Sequence, residues 1–299
     1  MKRILITGAE GFTGRFLAQA FKTQGYEVHG LCRQVKPDGI DGVDVVHVAD
    51  LADKAALQLA VNQAKADKVA HLAAIAFVPH GNADAIYQTN VQGSRNLLEA
   101  LSLCPHQPEA VLLASSAHVY GNAVEGTLDE STPLAPASDY AVSKLSMEFV
   151  AKLYQTRLPL ILVRPFNYTG VGQDENYLIP KIVSHARRRA PVIELGNLDV
   201  ARDFSDVRMV VSCYRQLLEN PAAINQTFNV CSGESWTLQQ VLDMVRDISG
   251  HNFEIKVNPA FVRQNDVKIL QGDRTRLDRT IGTSQRIALR DTLRWMLER

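Results

Sequence analysis

The sequence predicts an α/β fold: a Rossmann-type doubly wound parallel sheet with a smaller interleaved α/β domain. Three observations predict it. Short apolar runs alternate with amphipathic stretches through the first half of the chain. A glycine-rich turn, "GAEGFTG" (8–14), directly follows the first of these runs. From about residue 166 the alternation becomes irregular, with no linker, repeat or low-complexity tract at the change. Strand–helix alternation implies a parallel sheet covered on both faces.

The first run, "RILITG" (3–8), is a β-rich strand ending in glycine. "FTGRFLAQAFKTQG" (12–25) has helical periodicity, with Phe16, Leu17, Ala20 and Phe21 on one face and Gly25 as a stop. "EVHGLCR" (27–33), "DVVHVAD" (44–50), "KVAHLAA" (68–74), "AVLLASS" (110–116) and "PLILVRP" (159–165) read as further strands. Helices lie between most of them, notably over 81–102 and 138–157. Past 166 come a loop rich in Gly, Asn and Tyr, a helix near 177–190, a helix over 207–219, the strand "TFNVCSG", and a helix over 237–249. The expected division is 1–165 with 199–232 for the dinucleotide-binding unit, and 166–198 with 233–299 for the substrate unit.

The 299 residues suffice for a sizeable core, and 46% hydrophobic with 21% charged residues describes a globular chain. Thirty-two basic residues balance thirty-two acidic ones, which argues against a nucleic-acid or membrane-surface binder. The run "RRR" (187–189) reads as a solvated helix face. Cys32, Cys104, Cys213 and Cys231 show neither C-x-x-C pairing nor metal-ligand spacing, so no metal is expected and they read as core residues in a reducing cytoplasm. "MKRILITG" enters a strand at once and no apolar run spans a bilayer, which makes a cytoplasmic location the expectation.

Gly8, Gly11 and Gly14 occupy the first strand-to-helix turn, where a backbone can close on a pyrophosphate whose charge meets a helix N-terminus. Phe12 and Thr13 complete that turn. At the end of the second strand an acid would suit a ribose hydroxyl and an arginine a 2′-phosphate. The sequence has "LCRQ", so Arg33 favours NADP(H), with NAD(H) as the alternative. Asp50 and Leu51 are candidates for the adenine pocket.

Tyr140 and Lys144, four residues apart, share one helix face. A neighbouring ammonium and a cationic nicotinamide both stabilise a phenolate, so the tyrosine is expected below its ordinary value of about 10. Ser116, at a strand end, can hold a substrate oxygen near that phenol.

With these motifs the chain resembles the extended short-chain dehydrogenase/reductase family, from "GAEGFTG" through "HLAA" (71–74), "TNVQGSRNLLEA" (89–100), "SSAHVYG" (115–121) and "YAVSK" (140–144) to "RPFN" (164–167). The resemblance implies that Ser116, Tyr140 and Lys144 are catalytic. It implies that Leu72, Ala73, Ala74, Ser115 and Pro165 line the cofactor with Tyr140 and Lys144, and that Asn90 is a buried support of the active-site helix within the cofactor region. It also implies a homodimer, through a four-helix interface made by the helices at 81–102 and 138–157.

Members of this family reduce, epimerise, dehydrate or decarboxylate nucleotide sugars. Its dehydratases carry an Asp-Glu pair or similar directly after the Ser/Thr, whereas Ala117 and His118 stand here, which disfavours dehydration. "RPFNYTGVGQ" (164–173), "LGNLDVARDFSDV" (195–207), "FNVCSG" (228–233) and "RQNDVKILQGD" (263–273) resemble the GDP-mannose branch, its dehydratases and more closely its 4-keto-6-deoxy-sugar reductases. The branch implies that Asn167 contacts the sugar diphosphate and that Arg202 and Arg263, read as loop residues, neutralise it; Ser116 and Tyr140 hold the sugar. The chain departs from the pattern at Arg263–Val267, where a typical proline is missing, and at "IGTSQRIALRDTLRW", which lacks the usual W-x-P. The reading is an NADPH-dependent reductase making GDP-D-rhamnose or GDP-6-deoxy-D-talose. An NAD-dependent 4-epimerase, a 4,6-dehydratase and a non-catalytic dinucleotide-binding protein stand as alternatives.

Overall fold

Seven strands, Arg3–Thr7, Glu27–Cys32, Val45–Val48, Lys68–His71, Ala110–Ala114, Leu160–Pro165 and Thr227–Val230, form one sheet in which every neighbouring pair is parallel. The computed structural model describes all of the chain except residues 35–37, 77–81, 123–125, 263–267 and 284–285. Numbered along the chain, these seven strands run 3-2-1-4-5-6-7 across the sheet. The order reverses between the first and fourth strands, and the crevice at the carboxyl ends there is where such folds bind ligands.

Both faces are covered, so successive residues of each strand enter different cores. Ile4, Ile6, Leu112, Ile161 and Val163 face the helices Phe12–Lys22 and Val207–Glu219, against Leu17, Phe21, Val210 and Tyr214. Leu5, Val111, Leu113, Leu160 and Leu162 face Lys54–Ala64, Ser94–Leu103 and Asp139–Lys152, against Leu57, Leu97, Leu98 and Met147. The helix expected over 138–157 stops at Lys152 and continues as turns. The one expected over 81–102 runs as Ala83–Tyr87, a π-turn over Gln88–Gly93, and Ser94–Leu103.

The second half builds another sheet. Ala201–Asp206 lies parallel to Asn167–Thr169 and Ile269–Gly272 and antiparallel to Ser235–Thr237, while Gly126–Leu128 joins beside Ile269–Gly272. A third core gathers the helices Leu178–Arg187, Leu238–Ser249 and Leu289–Leu297 around Ile182, Leu242 and Leu293. Thr237 caps the middle helix through a reciprocal pair with Gln240. Within 199–232, the strand Ala201–Asp206 belongs to this second sheet, whereas the helix Val207–Glu219 and strand Thr227–Val230 belong to the first.

A buried polar chain crosses the carboxyl ends of the first sheet. Ser94 Oγ donates to the Asn90 carbonyl (2.6 Å), so His71 Nε2–H donates to Ser94 Oγ (2.8 Å). His71 Nδ1 is then the acceptor of the Thr7 hydroxyl (2.7 Å), and Thr7 Oγ1 accepts from the Ala73 amide (3.1 Å). The direction of each bond specifies a neutral imidazole with one tautomer. Burial, with the nearby Lys144 charge, pulls His71 down to about 3.

Between about pH 6.5 and pH 3 the unfolded chain therefore takes up a proton at position 71 that the folded chain refuses, and stability falls as pH falls. Acidifying from pH 7.5 to 5 should cost about 2 kcal/mol from this group alone. The cost is read as a drop in Tm, which His71→Gln should shrink. A smaller slope should persist from His29 and His47, which burial also pushes down.

Candidate active site

The glycine turn is built by close backbone packing. Gly8 has φ +70°, where a side chain is strained, and its amide donates to the Leu31 carbonyl (3.1 Å). A Cβ on Gly14 would lie 2.2 Å from the Gly8 carbonyl oxygen, so only glycine lets the helix start this close to the strand. Gly11 is the N-cap of Phe12–Lys22, with no side-chain cap bond and no acid in the first turn. The amides of Phe12, Thr13 and Gly14 thus open an uncapped helix end suited to an anion. Thr13 Oγ1 meets the Tyr168 hydroxyl at 2.8 Å and the Phe12 ring stacks on Tyr168, which ties this turn to the strand Asn167–Thr169.

Around it, Leu72, Ala73 and Ala74 follow the fourth strand, with Ala73 packed against Gly8. Arg33 is exposed immediately past Cys32. Asp50 is exposed and accepts from the Ala52 amide (2.8 Å). Leu51 is buried beneath Gly93, and its carbonyl accepts from Asn96 Nδ2 (2.8 Å).

Ser116 follows the strand Ala110–Ala114 in extended backbone and caps the 3-10 turn Ala117–Tyr120, its Oγ accepting from the His118 amide (3.2 Å). Across from it, Ser138 caps the helix Asp139–Lys152, which carries Tyr140 in its first turn and Lys144 one turn on. The Ser116 side chain acts on the Tyr140 phenol, favouring its ionised form. Lys144 Nζ, buried, donates to the Ala114 carbonyl (2.7 Å), two residues before Ser116. Ser116, Tyr140 and Lys144 are therefore brought together. Ala117 turns into a small apolar cluster with Tyr120, Leu128, Phe166, Cys231 and Leu270. His118 is exposed, its ring edge-on to Tyr140 with centroids 5.9 Å apart.

The electrostatics differ from the expectation of a lowered phenol. Burial pushes Tyr140 well above its ordinary value, the phenols of Tyr168 and Tyr177 add to this, and the neighbouring Ser116 hydroxyl opposes it. The protein's own groups keep the proton on Tyr140, as suits a donor. Burial pulls Lys144 down to about 8, against the charge of Glu148.

Other predicted residues are engaged inward. Asn90, 1% exposed, accepts from the Ile75 amide (2.8 Å) and donates to the Ile75 carbonyl and to Ser143 Oγ (3.0 Å each). Ser143 in turn donates to the Tyr140 carbonyl (2.7 Å). Ser115 donates its hydroxyl to Glu148 (2.5 Å) and its amide to the Val163 carbonyl (2.8 Å). Pro165 is buried at the end of its strand and Asn167 opens the next. Arg202 is a strand residue rather than a loop residue, paired in register with Trp236 and Leu270 and donating to the Ala201 carbonyl (2.9 Å). Arg263 lies outside the described residues. Tyr168, Glu148 and Arg164 escaped the sequence reading, since none stands in a local pattern that signals its partner.

The sequence pattern of the GDP-mannose 4,6 dehydratase family matches residues 5–296. The chain is 34% identical to GDP-6-deoxy-D-talose 4-dehydrogenase of Aggregatibacter actinomycetemcomitans, over 95% of this chain and 92% of that one. It is 31% identical to GDP-6-deoxy-D-mannose reductase of Pseudomonas aeruginosa, over 99% and 96%. Among solved structures, a Burkholderia cenocepacia J2315 protein designated provisionally as an epimerase superposes with a TM-score of 0.94 at 47% identity, covering 99% and 97%. The Pseudomonas aeruginosa enzyme RMD complexed with NADPH gives a TM-score of 0.85 at 28% identity, covering 100% and 98%.

Gly14→Ala should displace the first helical turn and weaken dinucleotide binding by about tenfold or more, since positioning errors near 1 Å are that costly. Titration of nicotinamide fluorescence against the protein measures it.

Proposed function

This chain belongs to the GDP-mannose 4,6-dehydratase family and is an NAD(P)-dependent oxidoreductase, and from that premise we propose that it is a 4-ketoreductase. The reading is that it reduces the 4-keto group of GDP-4-keto-6-deoxy-D-mannose with NADPH, giving GDP-D-rhamnose or its C4 epimer GDP-6-deoxy-D-talose. One observation carries it. The two positions after Ser116 hold Ala117, buried in an apolar cluster, and His118, whose ring lies edge-on to Tyr140, so neither supplies a carboxylate beside the phenol. Elimination of water needs an acid and a base beyond the tyrosine, whereas ketone reduction needs one proton donor.

In this reading Ser116 and Tyr140 hydrogen-bond the ketone oxygen, and Tyr140 gives its proton to the alkoxide as that charge forms. When bound, the dinucleotide supplies the hydride. Its pyrophosphate would rest on the amides of Phe12, Thr13 and Gly14, its 2′-phosphate near Arg33, and its adenine near Asp50 and Leu51. The uncapped helix end, free of acids in its first turn, fits that anion. Lys144 would hold the ribose and lend positive charge beneath the phenol. Asn167, Arg202 and Arg263 are assigned to the sugar diphosphate, with the three-helix unit as the substrate side.

A 47%-identical structural relative designated provisionally as an epimerase supports a second reading, an NAD-dependent nucleotide-sugar 4-epimerase using the same three residues. We further assign a homodimer built on the helices Ser94–Leu103 and Asp139–Lys152. Leu103 (66% exposed), Phe149 (57%) and Leu153, just past the second helix (69%), support it as large apolar residues in solvent. No helix among the described residues is long and apolar enough to cross a membrane, and the four cysteines are buried free thiols, which supports a cytoplasmic location.

Incubation with GDP-4-keto-6-deoxy-D-mannose and NADPH should consume absorbance at the NADPH band. Turnover of another nucleotide sugar, with purified protein carrying its own NAD and needing none added, would replace this reading with the epimerase. Tyr140→Phe should lower kcat by about 100-fold or more, the usual weight of a proton donor. Light scattering should give twice the 33.0 kDa chain mass.

A further inference from the structure

Glu148 lies one helical turn beyond Lys144, on the helix that carries Tyr140, and is buried with Arg164. Arg164 Nε donates to Oε1 (2.9 Å) and its terminal nitrogen to Oε2 (2.7 Å), the two-pronged pairing that fixes both planes. The third donor to this carboxylate is Ser115 Oγ, at 2.5 Å from Oε1. Ser115 is the residue before Ser116. The far side of the same guanidinium reaches the Tyr120 hydroxyl (3.1 Å), which donates to Asn229 Oδ1 (2.6 Å). Tyr120 ends the 3-10 turn that Ser116 begins. The segment that carries Ser116 is thus held at Ser115 and at Tyr120 by one buried ion pair, anchored on the helix that carries Tyr140 and Lys144.

We propose that Glu148, held by Arg164, is a positioning residue: it sets the aim of Ser116 toward Tyr140 and places a negative charge one turn from Lys144. The proposal rests on the catalytic assignment of Ser116, Tyr140 and Lys144. The charged and titratable groups acting on Lys144 are Glu148 on its own helix and His71 from the fourth strand, with Arg164 behind Glu148. Only Glu148 favours the ammonium, against the burial that disfavours it.

The test uses Glu148→Gln, which keeps the shape and removes the charge, beside Ser115→Ala, which removes one hydrogen bond and leaves the charge. NMR of protein labelled at lysine Cε, with Lys144→Met identifying the resonance, should show the Lys144 midpoint falling by roughly one pH unit in Glu148→Gln and unchanged in Ser115→Ala. On whichever nucleotide sugar the protein turns over, kcat should fall about tenfold or more in Glu148→Gln with KM within about threefold, and the alkaline limb of the kcat profile should move with the Lys144 midpoint. A Lys144 midpoint identical to that of the parent, or an unchanged kcat, overturns the proposal. If Glu148→Gln does not fold, Ser115→Ala decides: a kcat within about twofold of the parent refutes the hold on the Ser116 segment, and a fall of about fivefold or more supports it. The NMR titration needs no substrate. Failure to reduce the 4-keto sugar therefore removes the reductase reading, while an unmoved Lys144 midpoint removes this one.

Discussion

A hydrogen bond has a donor end and an acceptor end, and the buried chain through His71 has only one arrangement that satisfies every link. It starts at Ala73, passes through Thr7, His71 and Ser94 to the Asn90 carbonyl, and continues by the Asn90 amide to Ser143 and the Tyr140 carbonyl. One end adjoins Gly8 and the other is the main chain of Tyr140. The glycine turn and the active-site helix lie far apart in sequence and on different strand ends, and this chain holds them in fixed relation. The π-turn over Gln88–Gly93 makes the connection possible, because it carries Asn90 inward where it reaches both Ile75 and Ser143. A neutral imidazole, one donor and one acceptor, is the side chain that such a relay needs at its centre.

Much of the first sheet was legible in the sequence, because each strand of a doubly covered sheet is a continuous apolar run and each turn has its own punctuation. The helix Val207–Glu219 was legible to the residue, and the helix expected over 237–249 runs Leu238–Ser249 behind its cap Thr237. The second sheet was not. Its strands Gly126–Leu128, Asn167–Thr169 and Ser235–Thr237 are three residues each, too short for any periodicity, and they pair only with segments distant in the chain. Arg202 was misread as a loop residue for that reason, since its strand exists only once Trp236 and Leu270 lie beside it.

The candidate site divides in the same way. Ser116, Tyr140 and Lys144 stand in local patterns whose spacing reports their chemistry. Glu148 and Arg164 stand 16 residues apart with nothing between them to announce a pair, and only the packing of a helix against a strand creates it. The direction of the Tyr140 shift was likewise out of reach. Spacing suggests the nearby ammonium, but the depth at which the phenol lies is a property of the folded chain.

Ala117 carries a consequence for redesign. Its side chain is buried in the apolar cluster with Leu128, Phe166 and Leu270. A carboxylate written there would enter a largely apolar environment, at a cost of several kcal/mol before any chemistry was gained. Exchanging the two letters after Ser116 would therefore not by itself set an acid beside Tyr140 in this chain. The turn would first have to rotate, or the cluster acquire a polar lining, so the chemistry open to this turn is bounded by its packing as well as by its residues.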